Sequence, residues 1–268
     1  MPELPEVETI RQQLDAVFRR KRILRLVVRT PQLLQNCTPE QLRSVLEGKR
    51  LQAVKRRGKF LIFDCEGAYP VFHLGMSGIF LQSKEQSRFP QHIHLAIQWD
   101  SGKWLYYQDV RKFGKIWLYR QPPRFPGLGP EPLDKKFTLS KLKKLLNLTR
   151  LNIKRFLMDQ SRVAGIGNIY ANEILFEAGI SPLRPACSLN EEEIQRLHGA
   201  IRRVLKSAIQ RFGTTYSAYR TVTGENGQNQ HFLKVYQRAG QPCFRCGEPI
   251  ARIWIDKRST FFCPKCQR

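Results

Sequence analysis

The sequence predicts an α+β protein of several domains. These are an N-terminal helix, an all-β sandwich or barrel, a helical domain and a small terminal module that reads as a β-hairpin with cysteines. Three observations carry this. Eight short segments rich in β-branched and aromatic residues lie between positions 23 and 119, separated by turn residues. Five prolines fall within the twelve residues 121–132, which no regular element tolerates. Beyond them the apolar spacing becomes helical, until paired cysteines appear in the last 26 residues.

In chain order, Val7, Ile10, Leu14, Val17 and Phe18 recur at helical spacing, so 5–18 reads as an amphipathic helix with Pro5 near its first position. Strands are expected at 23–29, 51–56, 59–64, 71–74, 79–82, 93–99, 103–108 and 115–119. Gly58, Glu66-Gly67 and Asp100-Ser101-Gly102 supply turns between them, and a short helix at 41–46 interrupts the series. The N-terminal domain is therefore 1–120 and the proline-rich linker 121–133. Helices follow around Leu139 to Leu146, at Ile153, Phe156 and Leu157, and at 169–178 and 191–212, so the helical domain is placed at 134–222. A polar, Gly-containing loop at 223–230 and the cysteine module complete the chain as 223–268.

Composition narrows the partner. Lys and Arg number 46 against 22 acidic residues, a net charge of +24 on 268 residues. A charge of that size calls for a polyanion, nucleic acid first and an anionic membrane surface second. No apolar run approaches the roughly 20 residues that span a bilayer, and the N-terminus lacks the apolar core of a signal peptide. A reducing cytoplasmic location is expected, in which seven cysteines are not a disulfide framework.

Four stretches carry chemistry. Cys243-Phe244-Arg245-Cys246 and Cys263-Pro264-Lys265-Cys266 are two C-x2-C knuckles sixteen residues apart, the pattern of a structural four-cysteine zinc ribbon. The alternative, a redox dithiol, fits poorly because two matched pairs are present outside any βαβ unit. The hairpin between them carries Arg252, Lys257 and Arg258, which points to phosphate contact. Cys37, Cys65 and Cys187 read as plain core or surface thiols.

At the N-terminus stands Met1-Pro2-Glu3-Leu4-Pro5-Glu6-Val7-Glu8-Thr9. Trimming of Met1 would leave Pro2 with a free secondary amine, able to form an iminium with an electrophilic carbon, and Glu3 beside it could move protons. A helix N-terminus disfavours protonation of a nearby amine. On these nine residues alone an ordinary acidic helix start is the better reading. Gly165-Ile166-Gly167-Asn168 separates two helical patterns. Asn168 is expected to cap the second helix, where exposed N–H groups suit a phosphate. Lys55-Arg56-Arg57-Gly58-Lys59-Phe60 is a basic turn entering an apolar strand, with Lys59 directed towards a phosphate or a reaction centre. Asp109-Val110-Arg111-Lys112-Phe113-Gly114 places Arg111 and Phe113 two apart on an extended segment, so both point one way. Together they could read a base edge and wedge a stack, with a core Phe in an ordinary strand equally compatible. His92 and His94 read as polar-face or phosphate-contacting residues, since no third metal ligand is near them in sequence.

These motifs, five in order over the whole chain, resemble those of the formamidopyrimidine-DNA glycosylases. The resemblance rests on the stretch from Pro2 to Thr9, Arg56-Arg57-Gly58-Lys59, Asp109 to Gly114, Val163-Ala164-Gly165-Ile166-Gly167-Asn168-Ile169-Tyr170-Ala171 and the terminal four-cysteine finger. It implies an N-terminal two-sheet β-sandwich, a helix–two-turn–helix domain and a zinc finger, in a monomer that binds double-stranded DNA between its domains. It further implies excision of oxidised purines (8-oxoguanine and formamidopyrimidines), action on abasic sites, and strand cleavage by β,δ-elimination. By resemblance, Pro2 is the nucleophile, Glu3 the acid/base partner, Glu6 a support for sugar and proton transfers, and Lys59 a contact to the lesion's phosphate or base. Met76, Arg111 and Phe113 would fill the void left by the flipped base, Arg111 also reading the orphaned cytosine. Asn168 and Arg258 match phosphate clamps, His92 and Lys154 further backbone contacts, and the loop 219–230 would cover the everted base. Cys243, Cys246, Cys263 and Cys266 would hold one Zn2+, with no organic cofactor.

Two departures bear on lesion preference: Gln91-His92-Ile93-His94 lacks an acidic residue common there, and Ser77 stands where some members carry Glu. Endonuclease VIII, a sister family acting on oxidised pyrimidines, shares Pro2, Glu3 and the helical motif. The complete Met76, Arg111 and Phe113 set favours the purine enzymes. A non-catalytic zinc-ribbon DNA-binding protein fits the composition and cysteines but leaves Pro2, Glu3 and Lys59 together without a reason.

Overall fold

The computed structural model describes residues 1–216 and 218–268. The chain divides into two compact units, Met1–Phe125 with Arg211–Gln230, and Pro126–Gln210 with His231–Arg268.

The first unit begins with helix α1 (Leu4–Phe18), followed by strand β1 (Ile23–Val28) and helix α2 (Pro39–Leu46). Seven strands follow: β2 (Ala53–Arg57), β3 (Phe60–Asp64), β4 (Tyr69–His73), β5 (Gly78–Leu81), β6 (Ile93–Trp99), β7 (Trp104–Asp109) and β8 (Lys115–Tyr119). All eight expected strands form, within a few residues of their expected ends. They make two antiparallel sheets of four, ordered β1-β6-β7-β5 and β2-β3-β4-β8. This resolves sandwich against barrel. Phe63 and Phe72 from one sheet meet Phe80 and Tyr107 from the other at ring-centroid distances of 5.2 to 6.1 Å, so the two faces share one core. Val7, Ile10, Leu14 and Phe18 of α1 enter the same cluster. Burying this face stabilises α1 far more than helix propensity could. Helix α2 starts two residues before its expected position. Thr38 and Gln41 form a reciprocal capping box, the hydroxyl accepting the Gln41 N–H at 3.2 Å and the Gln41 amide accepting the Thr38 N–H at 2.9 Å.

The second unit contains α3 (Leu139–Asn147), α4 (Ile153–Met158), α5 (Asn168–Ala178), α6 (Glu191–Gln210) and the hairpin of β9 (Ala251–Ile255) and β10 (Arg258–Phe262). Thr138 and Asn152 cap α3 and α4, and Gly179 ends α5 in the left-handed conformation at φ 71°. The hairpin packs on α5 through Phe176, Val235, Ile250 and Phe261, together with two of the cysteines.

The last helix of the domain placed at 134–222 ends slightly before its expected limit of 212. Helix α6 stops at Gln210, because Phe212 and Gly213 turn the chain left-handed at φ 57° and 77°. The segment Arg211–Gln230 belongs instead with the first unit. Its Tyr219 and Val222 are buried in the sandwich core, a placement decided by burial rather than by sequence adjacency. Among the described residues no helix is long and apolar enough to cross a membrane.

Candidate active site

At the head of α1 the chain buries three charged side chains. Glu3, Glu6 and Lys59 are only 3%, 1% and 6% exposed. The Glu6 carboxylate is shared between two backbone amides: one oxygen accepts the Glu3 N–H at 2.8 Å and the other the Thr214 N–H at 2.8 Å. Lys59 follows Gly58, whose φ of 56° makes the turn from β2 into β3. Arg56, near the end of β2, pairs with Glu8 of α1 at 2.9 Å and donates to the Gly58 carbonyl at 3.0 Å, and so ties the turn to the helix. The basic run is therefore divided: Arg56 is a strut, and Lys59 faces the helix terminus.

The amine of Met1 is made less basic than an ordinary terminal amine. Burial is the main cause, Lys59 and Arg111 push the same way, and Glu3 and Glu6 oppose. All four groups act on one point, the place where the chain begins. Sequence inspection missed one neighbour. His73 on β4 packs against Phe60 with ring centroids 4.9 Å apart and the planes tilted by 51°, and accepts the Gly75 N–H at Nδ1 at 3.3 Å. Burial, then Lys59 and Lys115, pull its pKa down to about 4, so the ring is neutral near pH 7. Only the cross-strand partnership of His73 with Phe60 places it beside Lys59, and no local spacing signals that.

The segment 109–114 is not extended, which corrects the expectation. Strand β7 ends at Asp109 and the chain turns, with Lys112 at φ 55°. Arg111 and Phe113 nevertheless act as a pair: the guanidinium lies 4.6 Å from the Phe113 ring centroid. Phe113 is 51% and Met76 42% exposed, so both large apolar side chains are open to solvent. The turn that carries Met76 packs on the Phe113 backbone, since a Cβ at Gly75 would lie 2.5 Å from the Phe113 carbonyl carbon. Thus the structure brings Met76, Arg111 and Phe113 together on adjoining turns. A cavity of about 130 Å3 opens nearby, lined by Ser77, Gln86, Gln108, Val110, Arg220 and Gly224 among others.

His92 and His94 part company. His92 ends a short 3₁₀ turn and is half-buried. His94 is 3% exposed and bonds Thr30 Oγ1 at 2.7 Å and the Asp109 carbonyl at 2.8 Å, so it is a structural bridge and not a phosphate contact.

In the second unit, Asn168, Lys154 and Arg258 converge on the finger hairpin. Asn168 does not cap α5. Gly167 occupies the cap position in extended conformation, and Asn168 is the first helical residue. Its Nδ2 donates to the Ser259 carbonyl at 3.1 Å, while its buried Oδ1 has no hydrogen-bond partner among the described residues. Lys154 is 1% exposed and donates to the Ser259 carbonyl at 3.1 Å and Thr260 Oγ1 at 2.7 Å. Both therefore brace the strand that begins with the exposed Arg258. Gln160, which sequence inspection passed over, holds the intervening loop by accepting the Gly165 N–H at 2.9 Å and donating to the Ile166 carbonyl at 2.8 Å.

The sulfurs of Cys243, Cys246, Cys263 and Cys266 all lie within 4.8 Å of one another. Tetrahedral zinc with Zn–S bonds of about 2.3 Å needs sulfurs about 3.8 Å apart, so the set fits one structural Zn2+. The Arg245 and Cys266 N–H groups donate to Cys243 and Cys263 sulfurs, each at 3.4 Å, which stabilises thiolates. With four protein ligands no coordination position is left open, and the metal's part is to hold the hairpin.

Three family models match the chain. They are the formamidopyrimidine-DNA glycosylase N-terminal domain over residues 1–116, the formamidopyrimidine-DNA glycosylase H2TH domain over 128–220 and a zinc finger found in FPG and IleRS over 240–268. The chain is 41% identical to a formamidopyrimidine-DNA glycosylase of Desulfitobacterium hafniense over the full length of both proteins. It is also similar to the crystal structure of MutM (FPG) from Thermus thermophilus, with a TM-score of 0.89, 39% identity and coverage of 99% of this chain and 98% of that one. A Lactococcus lactis FPG variant solved with a Fapy-dG-containing DNA matches at a TM-score of 0.90 and 34% identity, with both chains fully covered. Identity of this extent over the whole length, on the same fold, makes the chain a member of the formamidopyrimidine-DNA glycosylase family.

Proposed function

We propose that this chain, a DNA glycosylase and AP lyase by family, excises oxidised purines from duplex DNA through a Schiff base at Pro2. The observation that carries the proposal is the burial of Glu3, Glu6 and Lys59 around a terminal amine whose basicity is already depressed. Loss of Met1 makes Pro2 the terminal amine at the head of α1. Its lone pair attacks C1′ of the flipped nucleotide, the glycosidic bond breaks, and the base leaves with a proton from the site. Sugar-ring opening gives an iminium, which acidifies the C2′ proton. Removal of that proton expels the 3′ phosphate, and a second elimination expels the 5′ phosphate.

Glu3 is assigned the proton transfers. Glu6, both of whose oxygens accept amides, holds Glu3 in register and supports those transfers. Lys59 contacts the lesion's phosphate or base. Met76, Arg111 and Phe113 fill the vacated stack, Arg111 reads the orphaned cytosine, and the loop 219–230 covers the everted base. Asn168 and Arg258 clamp phosphates and His92 adds a contact; Lys154, which by resemblance would contact the DNA backbone, is assigned instead to support of that clamp, because it is buried and bonded to Ser259 and Thr260. The reaction is placed in the cytoplasm, with the DNA. The Lactococcus lactis relative is solved both with a Fapy-dG-containing DNA and with an oxidised-pyrimidine-containing DNA, so the purine class is tested against a pyrimidine lesion.

The test is borohydride trapping on duplexes with 8-oxoguanine or thymine glycol. A covalent adduct is expected, chiefly on the purine lesion, and Pro2→Gly or an N-terminal tag should reduce it to background. Undiminished trapping with a blocked N-terminus would overturn the mechanism.

A further inference from the structure

We infer that Ser77 and Asp109 form a positioning device that fastens the turn of Met76 to the turn of Arg111 and Phe113, so that the three void-filling side chains enter DNA as one rigid unit. The inference rests on the reading of those three residues given above. It starts from a buried carboxylate with no evident catalytic duty. Asp109 is 0% exposed and ends β7 opposite Gly78, the first residue of β5. Its Oδ1 accepts the Ser77 hydroxyl at 2.5 Å and the Arg111 N–H at 3.2 Å, and its Oδ2 accepts the Gly114 N–H at 2.7 Å.

Ser77 joins the two turns directly. Its hydroxyl gives its proton to Asp109 and accepts the Arg111 N–H at 3.0 Å. The residue before it is Met76. One hydroxyl therefore links the residue that follows Met76 to the backbone of Arg111. A charge-assisted bond of this kind, shielded from water, is stronger and more directional than a neutral surface bond.

Packing repeats the fastening at independent points. Gly75, at φ 60°, lies against the Phe113 backbone. Gly78 and Gly114 flank the buried Tyr107 hydroxyl, and a Cβ on either would collide with it. His94 adds a bond to the Asp109 carbonyl from the next strand at 2.8 Å. The glycines let the two turns approach, and Ser77 with Asp109 sets their register. Rigidity matters here because an inserted wedge gains only what it does not lose in ordering its own side chains.

Two near-isosteric variants separate the hydroxyl from its bulk: Ser77→Thr keeps it and adds one methyl, while Ser77→Val puts a second methyl in its place. Excision of 8-oxoguanine opposite cytosine and opposite adenine is compared, with strand cleavage of a single-stranded abasic oligonucleotide as reference, since that substrate has no orphaned base. Ser77→Thr is expected to keep the wild-type preference for cytosine. Ser77→Val is expected to reduce it roughly tenfold, the scale of one hydrogen bond to a charged group, with single-strand cleavage retained. Equal preference in the two variants overturns the inference, and so does parallel loss of single-strand cleavage in Ser77→Val. Arg111→Ala is run beside them. If it too keeps the cytosine preference, the assignment of Arg111 as reader fails instead.

Discussion

In the first unit the proposed functional groups are held by buried carboxylates bonded to backbone amides, over a core shared by two sheets and α1. In the second they are held by a hairpin whose own core is small, a cluster of Phe176, Val235, Ile250, Phe261 and two cysteines. The first unit tolerates desolvated charge because a large apolar cluster stabilises it. Within the second unit the helices bury an apolar core of their own, but the finger hairpin adds little to it and concentrates its stability in one four-thiolate site. The contrast teaches where each half is vulnerable. Glu6, Asp109 and Ser77 can be altered one at a time with local consequences, whereas one cysteine governs everything attached to the hairpin, including Arg258 and the partners of Lys154 and Asn168.

Removing the metal should break the contrast most sharply. Structural zinc sites contribute roughly 10–16 kcal/mol of apparent binding free energy. Cys266→Ser, or chelation of the wild type, should unfold the hairpin and abolish tight duplex binding. Calorimetry should show the second unit's transition lowered and the first unit's unmoved. Movement of both transitions would mean that the units do not divide stability in this way.

The next effect is a pH dependence confined to the first unit. His73 titrates near 4 in the folded chain and near 6.5 unfolded, so its neutral form is the native one. Above about pH 6.5 its contribution is fully present. As pH falls towards 4 the unfolded chain takes up a proton that the native ring refuses, and up to about 3 kcal/mol is lost. His73→Phe should flatten that limb of the stability curve. An unchanged limb would show the ring to be solvated or paired with an acid.

The smallest effects sharpen the roles within the second unit. Lys154→Met leaves the Ser259 carbonyl and the Thr260 hydroxyl short of a charged donor, a cost of about 1–3 kcal/mol. Being a brace, it should leave the salt dependence of duplex binding unchanged. Arg258→Ala should instead reduce the slope of log K against log salt by about 1, as expected for one lost phosphate contact. The reverse pattern would exchange the two assignments.

Much of the fold was legible because strands and helices here are set by local alternation. Each of the eight strands carries its own pattern of apolar and turn residues, and α1 carries a clean apolar stripe. The cysteine spacing was equally legible, since a tetrahedral metal accepts only certain loop lengths. Legibility failed where partners are distant. His94 read as a polar-face or phosphate-contacting residue and Asp109 as the start of the 109–114 motif, but the bonds that define Asp109 and His94 come from residues 32 and 64 positions away. Asn168 read as a helix cap because Asn favours that position, yet Gly167 takes it and Asn168 reaches to Ser259, 91 positions on. The Thr38 and Gln41 capping box was local and could have been read.

By itself the sequence determined the order of elements, the metal site, the basic partner surface and the sites at which chemistry is expected. Each follows from residue type at short spacing, where steric and hydrogen-bonding rules act within a few residues. Only the tertiary structure decided three things: that Arg211–Gln230 packs with the first unit, that His73 lies beside Lys59, and that Met76 shares a fastening with Arg111 and Phe113. These depend on which buried surfaces find each other, and burial is non-directional, so no local pattern encodes its partner.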